Sequence, residues 1–269
     1  MPAVVNCEVF LMTLYEALNM DLNISELISL VGAGGKTSTM FRLAQELSAL
    51  GKKVLVTTTT NIAFSETSQA DHLVIDSSKD IRFLSRVEPG TIVCLGSGML
   101  NDKGKLKGID REVIDNIYQK HLFDYILVEA DGSKRRPIKA PAHYEPVIPR
   151  ETTRLIGVIG LDALGKSITE DYVHRPHLFC SITGKKMGDN IDRKCLTDLI
   201  LSDDGLFKDA PHGSRKYVVF NKADHADRVK EARITVHELI EMQPPISGLI
   251  IAAADRRHLY AKWLSHGKW

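Results

Sequence analysis

The sequence predicts an α/β protein: a mostly parallel sheet covered by helices. Three observations carry this. Apolar runs of five to seven residues alternate with longer stretches of helical period. The first run is joined to the first long helical pattern by a glycine-rich turn, Gly32-Ala33-Gly34-Gly35-Lys36-Thr37. A later run, Tyr125 to Val128, releases two carboxylates, Glu129 and Asp131, at its carboxyl end, where α/β sheets place ligands.

Taken in order, the expected strands are "ELISLV" (26–31), "KVLVTT" (53–58), "TIVCL" (91–95), "DYILVEA" (124–130), "RLIGVIG" (154–160), "KYVVF" (216–220) and "GLIIAA" (248–253). Helices are expected over 8–19, 37–50, 78–87, 110–121, 172–182, 191–202, 225–242 and 255–265. The stretch 131–150 holds four of the ten prolines and has no helical period. A loop of that length without its own structure is more often functional than idle. No composition break marks a boundary, so the whole chain, 1–269, reads as one domain, with a helical insertion at 165–214.

Lysine plus arginine number 35 against 34 acidic residues, a net charge of +1, with pI about 7.7. That balance gives no general attraction to nucleic acid or anionic membrane. Cys7, Cys94, Cys180 and Cys195 form no CxxC pair and no dense framework, which suits a reducing cytoplasm. The apolar run "VFLMTLYEALNM" is short, carries Glu16 and lacks a basic leader, so it reads as a packed helix rather than a signal peptide.

The glycine turn carries the chemistry. A strand followed by Gly-rich loop and helix presents unpaired N–H groups and a positive dipole end to phosphate. Glycine allows close backbone approach. Gly32, Ala33, Gly34, Gly35, Lys36, Thr37 and Ser38 are the expected cradle, with the N–H groups of 34–37 facing an anion. Lys36 supplies a positive charge for the terminal phosphates. Thr37 supplies a hydroxyl ligand for Mg²⁺. The spacing is shorter than the usual phosphate loop, whose first glycine would fall at Leu30. It resembles the short loop of Mur-type peptide ligases and folylpolyglutamate synthetases. A strand-to-helix turn with an exposed lysine is the bland alternative. The sequence therefore points to a three-layer sandwich similar to the P-loop NTPases.

Glu129-x-x-Gly132 resembles the Glu-x-x-Gly form of the metal-insertion GTPases that serve urease and hydrogenase. Glu129 is the expected carboxylate for Mg²⁺, and Asp131 the group that orients an attacking water or binds metal. Asn221-Lys222-Ala223-Asp224 follows an expected strand and matches the Asn-Lys-x-Asp motif of GTPases. A carboxylate at Asp224 can accept from guanine N1–H and N2–H₂, a donor pair that adenine lacks. Lys222 would pack along the base, Asn221 would tether the loop, and Ala253 could offer its N–H to guanine O6. A capped strand-end turn is the bland reading of the same four residues.

Three weaker signals remain. The run "TTTTNI" (57–62) is either a β-rich strand end or a place where Thr59 or Thr60 nears the terminal phosphate. Lys134, Arg135, Arg136 and Lys139 follow the metal carboxylates, as a solvated loop or as an anion-recognition cluster. His174, His177 and Cys180 have the residue types of a metal set, but on a helix their spacing spreads them over a broad arc, and Pro176 intervenes.

Together "VGAGGKTS", "TTTT", "LGSG…KLKGID", "VEADGSKRRPIKAPAHYEPVIP", "GLDALGKSI…VHRP" and "NKAD" resemble the YqeC family, from about residue 28 to 255. That family comprises accessory proteins of selenium-dependent molybdenum hydroxylases. The resemblance implies nucleotide binding during cofactor maturation, and carries Lys36, Thr37, Glu129 and Asp131 over directly. The expected ligands are Mg²⁺ with GTP or ATP, GTP preferred. The expected partner is a molybdenum hydroxylase or its maturation proteins, with no nucleic acid and no membrane. Two rivals stand beside an NTPase: an ATP-dependent ligase or transferase of the Mur kind, and a nucleotide-binding scaffold that does not hydrolyse.

Overall fold

The computed structural model describes residues 12–76, 82–100, 104–253 and 258–264. Fourteen strands occur among them: β1 (Glu26–Gly32), β2 (Val54–Thr58), β3 (Asn61–Ala63), β4 (His72–Ile75), β5 (Ile92–Gly96), β6 (Gly98–Leu100), β7 (Lys105–Lys107), β8 (Tyr125–Glu129), β9 (Ile138–Lys139), β10 (Arg154–Gly160), β11 (Val173–His174), β12 (Arg215–Asn221), β13 (Gly248–Ala253) and β14 (His258–Leu264). Nine of them form one sheet in the order β14-β13-β12-β10-β1-β8-β2-β5-β4. Every pairing in it is parallel except β13 with β14. The α/β expectation holds, and all seven expected strands lie in this sheet.

The helices are α1 (Leu14–Ala17), α2 (Lys36–Ala49), α3 (Arg111–Gln119), α4 (Pro176–Thr183), α5 (Arg193–Leu201) and α6 (Ala226–Glu241). They cover both faces. Residues alternate along each strand, so each face has its own apolar layer. On one face Met40, Phe41, Leu43 and Leu47 of α2 pack on Ile28, Leu30, Val56 and Val158. On the other, α4, α5 and α6 bring Phe179, Leu196, Leu199 and Leu239 onto Leu155, Val218 and Ile251. Ile114 and Ile117 of α3 cover Leu55, Val93 and Ile126 farther along the sheet. Central strands buried on both faces read as unbroken apolar runs, which is how they were legible.

The edges depart from expectation. Residues 258–264 form a strand antiparallel to β13, where a helix over 255–265 is predicted. A run of alternating apolar and polar residues this short fits either period, and pairing with β13 covers the open edge of that apolar strand. The helix expected at 172–182 is divided: β11 pairs with β9, Arg175 has φ +66°, and α4 begins at Pro176, which suits a first helical position. Of the helix expected at 78–87, residues 82–86 form a short 3₁₀ turn, and 78–81 lie outside the described residues. Of 8–19, only 14–17 are helical, and 8–11 lie outside them. β3, β6 and β7 form a separate small antiparallel sheet that the sequence did not announce.

One buried ion pair locks the amino ends of the central strands. Arg154 meets Glu26 through two bonds of 2.7 and 2.8 Å, donates to the Leu18 carbonyl at 2.6 Å and lies over the Tyr217 ring. It ties β10 to β1 at the end of the sheet opposite the glycine turn. Among the described residues no helix is long and apolar enough to cross a membrane.

Candidate functional site

β1 and β8 are neighbours, with Leu30 in register with Glu129. Their carboxyl ends therefore deliver the glycine turn and the carboxylates to one place. Gly34 (φ +83°) and Gly35 (φ +123°) take backbone conformations that side chains rarely adopt. A Cβ on Gly34 would collide with the Gly160 backbone and the Pro137 carbonyl, and one on Gly35 with the Asn221 amide. The turn is thus packed against β10, the 133–137 turn and the end of β12.

That packing corrects the extent of the cradle. Ala33 N–H donates to the Val158 carbonyl at 2.9 Å, and Gly34 N–H to the Arg136 carbonyl at 3.1 Å. Gly32 N–H donates to Asp131 Oδ2 at 3.1 Å. The first half of the short loop spends its amides on the protein. The first intrahelical bond of α2 is Thr39 N–H to the Gly35 carbonyl, so the N–H groups of Gly35, Lys36, Thr37 and Ser38 have no helical partner. An anion can meet these, shifted by one residue from the expected 34–37.

Lys36 is almost wholly buried and curls back over the loop. Its ammonium donates to the Gly32 carbonyl at 2.7 Å and lies 3.1 Å from Asp131 Oδ1 and 3.8 Å from Glu129 Oε1. Burial opposes its charge, but the two carboxylates outweigh burial and raise its pKa. Glu129 is shifted up, chiefly by burial, against the pull of Lys36 and Thr37. Thr37 Oγ1 donates to Glu129 Oε2 at 2.7 Å. A hydroxyl and a carboxylate at the start of a helix are hard oxygen donors, the kind Mg²⁺ takes.

Behind this pair runs an alternating line of charge. Asp131 Oδ2 meets Lys139 at 2.9 Å, Lys139 meets Glu145 at 2.6 Å, and Glu145 meets Arg175 at 2.7 Å. Burial pushes Glu145 up, but Arg175 and Lys139 hold it below the usual carboxylate range. The sequence grouped Lys139 with Lys134, Arg135 and Arg136. The structure separates it: Lys139 is an interior counter-ion and the other three are not. Glu145 and Arg175 gave no sequence signal, since neither sits in a recognisable spacing.

The threonine run holds the end of β8. Thr58 Oγ1 donates to the Glu129 carbonyl at 2.7 Å, and Thr59 N–H donates to the same carbonyl at 3.2 Å. Thr59 Oγ1 donates to the Val147 carbonyl at 2.8 Å. Asn61, Ile62 and Ala63, just beyond the run, reach the cleft instead.

That cleft has a volume of about 650 Å³. Its floor is Gly34 to Ser38 with Glu129. One wall is the turn from Gly132 to Arg136, another is β3 with Ser65, Glu66 and Lys105, and Lys222 stands at its side. Asn221 Nδ2 donates to the Gly34 carbonyl at 2.9 Å, so it tethers the loop as expected from the sequence. Lys222 (φ +61°) pairs with Asp162 at 2.7 Å, a partner no motif predicted. Asp224 and Ala253 lie beside one another's elements: Ala223 N–H donates to the Ala252 carbonyl at 3.0 Å. Asp224 Oδ2 lies 3.5 Å from Arg228, and neither Asp224, Ala253 nor Asp131 lines the cleft. Ala253 is buried at the end of β13. His174 stands on β11 while His177 and Cys180 ride on α4, and among the described residues no group of three such side chains could hold a metal ion.

With a mostly parallel sheet, helices on both faces and a Gly-rich strand-to-helix turn, the fold is a three-layer α/β sandwich. Solved structures bear a likeness at low identity. FtsY from Mycoplasma mycoides matches with a TM-score of 0.41 and 14% identity, covering 90% of this chain and 69% of that one. Chloroplast FtsY from Physcomitrella patens matches with a TM-score of 0.31 and 14% identity, covering 94% and 57%. In sequence, the Escherichia coli K12 protein described as "Uncharacterized protein YqeC" is 37% identical over 209 residues, 77% of this chain and 80% of the relative. Residues 28–177, which run from β1 through the glycine turn, Glu129 and the basic turn into α4, match the YqeC protein family. The chain belongs to that family.

Proposed function

We propose that this protein is a Mg²⁺-dependent nucleoside-triphosphate-binding protein and NTP hydrolase, GTP preferred, that serves as an accessory factor in maturing a selenium-dependent molybdenum hydroxylase. One observation carries the nucleotide half: the Thr37 hydroxyl, at the start of α2, bonds Glu129 at the end of the neighbouring strand, with the Lys36 ammonium beside both. The hydroxylase half rests on the family resemblance alone.

In this reading the N–H groups of Gly35 to Ser38 take the β- and γ-phosphates. Thr37 and Glu129 would hold Mg²⁺, which supplies neutralising charge to the phosphates. Phosphoryl transfer asks the protein mainly for positioning and charge. Lys36 gives that charge, and Asp131 positions Lys36. Asp131 orients an attacking water only if its carboxylate leaves Lys139, because it is buried between the two lysines. Asp224 reads guanine, with Asn221 keeping the motif against the phosphate loop. The test is release of inorganic phosphate from GTP and ATP with Mg²⁺ or with EDTA. Release that is Mg²⁺-dependent and faster with GTP supports the reading.

A second reading is favoured by the Asp224–Arg228 contact and by the absence of Asp224 from the cleft lining. Here the nucleotide is ATP and the terminal phosphate passes to an acid. Equal or better use of ATP, with ADP formed only when an acid acceptor is added, supports it.

A further inference from the structure

We propose that the cleft is built for two anions, and that the turn Ser133–Arg136 recognises a phosphate-bearing small molecule held beside the nucleotide. This rests on the nucleotide reading above and names the co-substrate of the same site. The argument starts from how the protein treats its other cations here. Lys36 is matched by Asp131 and Glu129, Lys139 by Asp131 and Glu145, Arg175 by Glu145, and Lys222 by Asp162. Among the described residues, each of these four cations has a carboxylate within 4 Å, whereas those of the Ser133–Arg136 wall and Lys105 opposite have none.

On that wall Lys134, Arg135 and Arg136 all line the cleft, and none makes a side-chain hydrogen bond or ion pair among the described residues. Lys105 faces the same space from β7, likewise without one. The carboxylates in the lining are Glu66 and Glu129, and Glu129 is already bonded to Thr37. Lys105, Lys134, Arg135 and Arg136 crowd this concavity against one carboxylate not already bonded, Glu66, which is unfavourable, and low-dielectric walls focus the resulting potential. The arrangement is satisfied by an anion arriving from outside.

The wall is also fixed rather than draped. Arg136 N–H donates to the Ser133 carbonyl at 3.0 Å, closing the turn. The Arg136 carbonyl accepts from Gly34 N–H at 3.1 Å, and the Pro137 carbonyl from Gly160 N–H at 2.9 Å. Lys134 and Arg135 both have positive φ, +49° and +60°, a conformation that is costly for a non-glycine residue and persists where surrounding contacts enforce it. One of the bonds around the turn, from Gly34 N–H to the Arg136 carbonyl, also occupies an amide of the short loop. The turn is thus held at a set distance from the phosphate site. Guanidinium groups so placed match phosphate oxygens two at a time. Ser133, Ser65 and Asn61 add neutral polar groups along the same walls. A phosphate between them would lie across the cleft from the N–H groups of α2.

The experiment uses the full chain and inorganic phosphate as the probe. Phosphate is titrated calorimetrically into protein first saturated with Mg²⁺ and a non-hydrolysable GTP or ATP analogue, for wild type, Arg135→Gln and Lys134→Ala/Arg135→Ala. The expected result is one phosphate bound by the nucleotide-loaded wild type, weakened at least tenfold in the double variant, while analogue affinity changes less than threefold. If phosphate competes with the analogue, or if the double variant loses analogue affinity as much as phosphate affinity, the basic wall belongs to the triphosphate and the proposal is overturned. If loaded wild type takes up no phosphate, it is overturned as well. If wild type binds no analogue, the underlying nucleotide reading fails, a result separable from the others because the first titration alone shows it.

Discussion

Thr37 and Glu129, 92 positions apart in the chain, meet through a 2.7 Å hydrogen bond at the carboxyl ends of two adjacent parallel strands. One opens α2, the other closes β8. The proposed Mg²⁺ site rests on this contact. Thr37→Ala and Glu129→Gln should each weaken Mg²⁺ affinity of the nucleotide-bound protein by about 10- to 100-fold, as loss of a ligand or its orienting partner generally does. Titrating Mg²⁺ at fixed nucleotide checks this. Unaltered Mg²⁺ dependence in both folded variants would remove the metal role from the pair.

Gly34→Ala should lower stability by roughly 2 kcal/mol or more, from positive φ combined with a backbone collision that no rotamer relieves. The colliding atoms are the Gly160 backbone and Pro137 carbonyl, so the phosphate loop and the basic turn should loosen together. Urea unfolding gives the energy, and amide exchange at Gly160 gives the location. Gly165→Ala is a control, since nothing lies within 4 Å of a Cβ there although its φ is also positive. Equal losses in the two variants would show that close packing at Gly34 adds nothing.

Much of this was legible because local chemistry and global fold agree. The central strands are buried on both faces, so their apolar runs left little choice, and the glycine turn needed only a strand before it and a helix after. Glu129 was legible because it ends such a run. The line Asp131–Lys139–Glu145–Arg175 was not, since it is joined through charge alone within an irregular stretch and from there to Arg175, and such pairings have no period. The strand at 258–264 was misread because seven residues of mixed polarity fit two periods, and only the open edge of β13 decides between them.

His174 offers a test of that charged line. Burial, then the charges of Arg175 and Lys139, depress its pKa to about 4, from 6.5 when unfolded. Between those values the unfolded chain binds the proton and the folded one does not. Stability from this residue is therefore complete above about pH 6.5 and is lost progressively as pH falls toward 4. The urea midpoint of wild type should fall further between pH 7 and 5 than that of His174→Gln. Parallel pH profiles for the two proteins would mean His174 protonates in the folded state without cost.

Asp224→Asn addresses base choice. If Asp224 reads guanine as proposed, losing its carboxylate should cost about 1–3 kcal/mol, or roughly tenfold to a hundredfold in GTP affinity. The new amide can donate to the C2 oxygen of xanthine, so XTP should gain. Competition among GTP, ATP and XTP reads the change. Indifference of all three nucleotides to the substitution would reduce Asp224 to the partner of Arg228 and favour the ATP reading.

The central claim is that the start of α2 holds a triphosphate with the help of Lys36. Calorimetric titration of Mg²⁺·GTP and Mg²⁺·ATP into wild type and Lys36→Ala tests it most directly, with circular dichroism confirming that the variant is folded despite the two buried carboxylates left beside it. The account predicts one nucleotide bound per chain by wild type and at least a hundredfold weaker binding by the variant. Equal affinity in the two folded proteins, or no binding of either nucleotide by wild type, would contradict it.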